Sequence, residues 1–195
     1  VKLRVAILAA LMLATSGCTA SIGGEAMPGS SSRPAVSPQP LPFTPTISER
    51  TNDRNDGTSF EPCTAYSAEE IRALGADPTT ISDAGFSDSP NFRGCDWETP
   101  GQVGQLDQIV GDEESLANYK AKQDFRPWEP DLQIGGRTVI WTKEDDDGCF
   151  ASFMSQKAIV HSSYRTTSAG TPSAGLAEEC RIAIAFATLA ISKAP

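Results

Sequence analysis

The chain has one histidine, His161, among 195 residues. A Ser-His-Asp triad, a Cys-His pair or a His-ligated metal would each have to run through that single imidazole. No two of the five cysteines stand as C-x-x-C, so the dithiol redox motif and the paired ligands of a structural zinc site are both missing. G-x-S-x-G and the glycine-rich nucleotide fingerprints are missing as well. Basic residues are few, 16 against 25 acidic, for a formal net charge of -9. Such a chain repels polyanions, which argues against nucleic acid as a partner and against adhesion to anionic lipid through a basic patch. The apolar run from Val5 to Ala14 is ten residues long. As a helix it rises about 15 Å against a hydrocarbon core of about 30 Å, too little to span a bilayer.

What is present begins with that run. Lys2 and Arg4 precede it, and small residues follow it up to Cys18. A basic start, a short apolar middle and small residues before a cut are the proportions of a signal peptide. Thr15-Ser16-Gly17-Cys18 resembles a bacterial lipobox, in which the cysteine sulfur is diacylglycerylated and becomes residue one, although Thr15 stands where an aliphatic residue is usual. The resemblance implies a lipid on Cys18, attachment to the cell membrane at its extracytoplasmic face, and retention by acyl chains worth about 0.8 kcal/mol per buried methylene. Val1 is expected to reflect an alternative start codon read as Met. Loss of residues 1–17, which carry two basic residues and no acid, leaves 14 basic against 25 acidic residues, a net charge of -11.

With Cys18 given to lipid, Cys63, Cys95, Cys149 and Cys180 remain for an oxidising compartment, where pairing is the default. Four cysteines allow three connectivities, and the sequence does not choose among them. We expect Cys63–Cys95 and Cys149–Cys180, because these nearly equal loops each join neighbouring segments. Each closure is worth about 3 to 4 kcal/mol by loop entropy.

Composition divides the chain into three parts: a signal peptide over 1–17, a lipid-anchored Ser/Pro/Gly-rich tether over 18–58, and a globular domain over 59–195. Pro28, Pro34, Pro38, Pro40, Pro42 and Pro45 punctuate the tether, and too little apolar surface is available there to offset ordering entropy. In the domain, Ser67 and Glu70 form a capping box for a helix that stops at Leu74-Gly75. Strands are expected over 93–98, 103–110, 131–134, 137–142, 149–155 and 157–164, with turns at Pro100-Gly101 and Gly135-Gly136. A helix capped by Asp112 is expected to run to Gln123 with Leu116 and Tyr119 inward, and a last helix opens at Thr171-Pro172 and carries Leu176, Cys180, Ile184, Ala187 and Ile191 at helical spacing. The fold class is α+β, an antiparallel sheet packed against helices and braced by two disulfides.

Glu61-Pro62-Cys63 before a helix ending Leu74-Gly75, then Cys95-Asp96-Trp97, the Gly135-Gly136 turn, Cys149 and a final helix carrying Cys180 together resemble an actinobacterial lipoprotein family, the domain-of-unknown-function family numbered 3558. The resemblance covers the whole folded part and implies the lipid anchor and the disulfides. It brings no catalytic residues and no cofactor.

His161 falls in an alternating run, as a strand residue rather than a loop base. Glu144-Asp145-Asp146-Asp147-Gly148 is the densest acidic cluster, but adjacent acids on a turn do not converge on a cation, and a solvated hairpin turn accounts for it; no metal is expected. Trp97 is expected in the core, on the sheet face of Cys95. Phe125-Arg126-Pro127-Trp128-Glu129-Pro130 is a proline-bounded loop with two aromatics and an arginine, and Phe125, Arg126 and Trp128 are the candidate partner-contact residues. These readings add up to a non-enzymatic binding or accessory module with an unidentified envelope protein, glycan or lipid as partner. The alternatives are a carrier of a lipid or cell-wall precursor and, third, an envelope hydrolase.

Overall fold

The computed structural model describes residues 39–84, 90–144, 148–167 and 175–195. Cys18 and the rest of the signal and anchor region lie outside the described residues, as do Asp145, Asp146, Asp147, Thr171 and Pro172.

Seven strands form one antiparallel sheet in the order β1-β2-β3-β7-β6-β5-β4. They are β1 (Ser82–Asp83), β2 (Arg93–Glu98), β3 (Gly104–Asp112), β4 (Leu132–Ile134), β5 (Arg137–Glu144), β6 (Gly148–Ser155) and β7 (Ala158–Thr166). Among the described residues four α-helices accompany them: α1 (Pro62–Ala65), α2 (Ala68–Ala73), α3 (Leu116–Lys122) and α4 (Leu176–Lys193). The β4–β5 hairpin turns on Gly135 and Gly136, whose φ angles of 56° and 78° suit residues without a Cβ. Both sheet edges are strands of two or three residues, which leaves little unpaired backbone to template another chain.

Side chains alternate between the two faces, and each face has its own cover. One face carries Leu106, Val110, Val139, Ala151, Phe153 and Val160 beneath α4, whose Cys180, Ala183, Phe186, Ala187 and Ala190 are buried. Cys149 on that face is bonded to Cys180, so the one disulfide among the described residues staples α4 to the middle of the sheet. Trp97 is 2% exposed and packs edge-on against Phe186, in the core as its spacing beside Cys95 implies. The other face is covered by α3 and the chain that follows it.

Three expectations need correction. Cys63 and Cys95 are not bonded: both are buried free thiols, near enough for one to hydrogen-bond the other. The helix expected from Asp112 starts later, capped by Ser115, whose hydroxyl accepts from Asn118 N at 3.1 Å. Asp112 instead ends β3, and its carboxylate accepts from Gly57 N at 2.7 Å. Finally, the described residues of the domain begin at Gln39, inside the stretch read as tether over 18–58. Arg50, Asn55 and Thr58 are buried, because a few polar side chains with well-placed partners hold a stretch that has too little apolar surface to collapse by itself.

Candidate functional site

Two groups of side chains carry chemistry. The first lies on the α3 face of the sheet. Ser152 on β6 and His161 on β7 are directly paired in register, and Ser152 Oγ shares a hydrogen bond with His161 Nδ1 at 2.6 Å. Tyr119, Phe150 and Phe92 surround the imidazole with ring centroids at 4.8, 5.9 and 6.3 Å. His161 is 6% exposed and Ser152 fully buried, and His161 Nε2 has no hydrogen-bond partner among the described residues. Burial, helped by the Arg126 charge and opposed by Glu113, pushes the imidazole down to about 4, so it is neutral near pH 7. A serine beside a neutral histidine makes a nucleophile-base pair, and here both side chains are enclosed by these rings. Sequence reasoning missed Ser152, nine residues away, since only strand register brings the two together.

The second group ties the segment before α1 to β2. Arg50 makes a bidentate pair with Glu61, at 2.7 and 3.1 Å, and its Nη2 also donates to Gly94 O at 2.9 Å and Cys63 Sγ at 3.0 Å. Arg50 Nε reaches Asp83 Oδ1 at 3.4 Å, and Arg93 Nη1 donates to Glu61 Oε2 at 3.0 Å. Arg93 also satisfies the carbonyls of Asn55 and Thr58. Burial alone would raise the Glu61 carboxyl, but the Arg50 hydrogen bond and the charges of Arg50 and Arg93 outweigh it and hold it below its usual range. Burial pushes both the Cys63 and the Cys95 thiols up, which keeps them as poor nucleophiles near neutral pH.

The loop chosen from sequence divides. Phe125 is 72% exposed, with the Arg126 guanidinium 5.4 Å from its ring centre. Arg126 also lies 4.8 Å over Phe150, and Trp128 packs edge-on against Phe150 at 5.6 Å while its Nε1 donates to Gln123 O at 3.0 Å. Trp128 thus belongs to the cover over His161, and Phe125 alone of the three projects fully. Among the described residues no group of three His, Cys, Asp or Glu side chains is placed to hold a metal ion. A hollow of about 430 Å3 is lined by Asp112, Glu113, Glu114, Lys122, Gln156 and Lys157. A smaller, apolar one of about 190 Å3 lies beside Cys63, Tyr66, Ile71, Ile81 and Trp97.

A seven-stranded antiparallel sheet stapled to its C-terminal helix by a disulfide defines a small braced α+β domain. The chain belongs to the family described as Protein of unknown function (DUF3558), which it matches over residues 13–193. No match was found among curated proteins or among solved structures.

Proposed function

We propose that this is a non-enzymatic binding or accessory module of a cell envelope, held at the outer face of a membrane by lipid on Cys18. The observation that carries the non-enzymatic part is the enclosure of His161, the single imidazole, by Tyr119, Phe150 and Phe92. The Cys149–Cys180 bond supports an oxidising compartment, and the lipobox-like Thr15-Ser16-Gly17-Cys18 supports the anchor. Carriage of a lipid or cell-wall precursor finds less support, since the larger hollow is lined by charged and amide side chains and the apolar one is small.

Crosslinking the intact protein in its own membrane tests the reading. Capture of a discrete envelope partner, undiminished in His161→Gln, is the expected result. Turnover of an envelope substrate that His161→Gln abolishes would contradict it.

A further inference from the structure

Cys63 on α1 and Cys95 on β2 lie side by side under the Arg50 network, as buried thiols close enough to hydrogen-bond each other. The two sulfurs are not equivalent. Cys95 is fully buried, while Cys63 forms part of the wall of the solvent-open recess of about 190 Å3 that Tyr66, Ile71, Ile81 and Trp97 also line. Cys63 has a cation in contact as well: Arg50 Nη2 donates to its Sγ at 3.0 Å, and the Arg50 charge favours a thiolate there. Burial outweighs that charge and keeps both thiols protonated near neutral pH, which slows their exchange chemistry without preventing it. The same fold holds Cys149 and Cys180 as a disulfide, so its two cysteine pairs stand in different oxidation states.

We propose that Cys63 and Cys95 are a reversible dithiol–disulfide couple, entered at Cys63 through the recess, whose oxidised form adds a second staple between α1 and β2. The oxidant is a disulfide, R–S–S–R. Cys63 gives up its proton, and its thiolate attacks one sulfur of R–S–S–R, releasing the first RS− and leaving a mixed disulfide on Cys63. Cys95 then gives up its proton and attacks Cys63 Sγ, which forms the Cys63–Cys95 bond and releases the second RS−. The two protons pass to the released thiolates, so R–S–S–R is reduced by two electrons to two RSH as the pair is oxidised by two. Excess thiol runs the same steps backwards. Arg50 is not stranded by the change, because Glu61, Asp83 and the Gly94 carbonyl still hold its guanidinium. The new bond closes the chain between 63 and 95 and restricts the unfolded state, so the oxidised form is the more stable one.

The couple depends neither on the binding-module reading nor on the lipid anchor. Its test is a titration of the folded full chain in mixtures of reduced and oxidised glutathione, quenched with acid, alkylated and mapped by peptide mass spectrometry. Cys63 and Cys95 should lose their alkylation together in one two-electron transition and regain it when reduced glutathione is restored, with Cys149–Cys180 closed throughout. Oxidation should run about tenfold faster at pH 8 than at pH 7, as attack by a thiolate requires, and should raise the urea midpoint. Cys95→Ser should stop at a glutathione adduct on Cys63. If that variant does not fold, the adduct is sought at early times in the unaltered chain, where it should again fall on Cys63. A pair that stays reduced in fully oxidised glutathione, reacts only in urea that unfolds the chain, takes the adduct first on Cys95, or cannot be reduced again without opening Cys149–Cys180 overturns the proposal.

Discussion

Ser152 and His161 show how much one neutral imidazole can weigh on stability. His161 is held at about 4 in the folded chain against 6.5 when free, so between these values the unfolded chain binds the extra proton. Its contribution is complete above pH 6.5 and is lost as pH falls towards 4. Between pH 6.5 and 5, before most carboxylates titrate, the loss is about 2 kcal/mol. Urea unfolding across that window should show it in the unaltered chain and not in His161→Gln; equal slopes would mean the imidazole is not buried neutral. Glu61 is the second such residue. It faces two buried guanidiniums, and Glu61→Gln leaves both short of their counter-charge, at a cost of about 3 to 5 kcal/mol in the same measurement. A change below about 1 kcal/mol would place those arginines in solvent. Neither arrangement was legible in sequence. Arg50 and Glu61 meet across eleven positions of irregular chain, a separation at which no periodicity operates. The Ser67–Glu70 capping box was legible, because its geometry is local and its residue types are specific.

Elements with several periods of alternation were the readable ones. β2 falls on the expected residues, and β3, β5, β6 and β7 differ from expectation only at their ends. β1 has two residues and α1 four, too few to generate a pattern. The α3 start was misplaced because Asp112 and Ser115 are both competent caps, and continued pairing of β3 with β7 as far as Asp112–Ala158 decides between them. Two experiments belong at this scale. Cys149→Ser/Cys180→Ser opens a bond with a sequence separation of 31, and chain entropy sets the loss at about 3 to 4 kcal/mol. The expected readout is a lower urea midpoint with the sheet signal retained. Gly94→Ala sets a Cβ 2.1 Å from Gln108 O, so β2 and β3 cannot keep their spacing. A loss above about 2 kcal/mol is expected from calorimetry, and a neutral result would mean that the pairing at Gly94–Ile109 is wrong.

For the molecule as a whole, composition gave the right class and the wrong boundary. A Pro- and Ser-rich stretch reads as tether throughout, yet from Gln39 onward it lies on the domain through Leu41, Phe43, Arg50 and Asn55. The four described cysteines divide into one bonded pair that staples α4 and one thiol pair under the Arg50 network. The claim on which the proposed location at the membrane rests is acylation of Cys18, and mass spectrometry of the amino-terminal peptide from membrane-extracted protein tests it most directly. A chain beginning at Cys18 with a diacylglyceryl mass, and Cys18→Ala protein shed from the membrane, is the predicted result. An uncut leader or an unmodified Cys18 in protein that is freely soluble would contradict it.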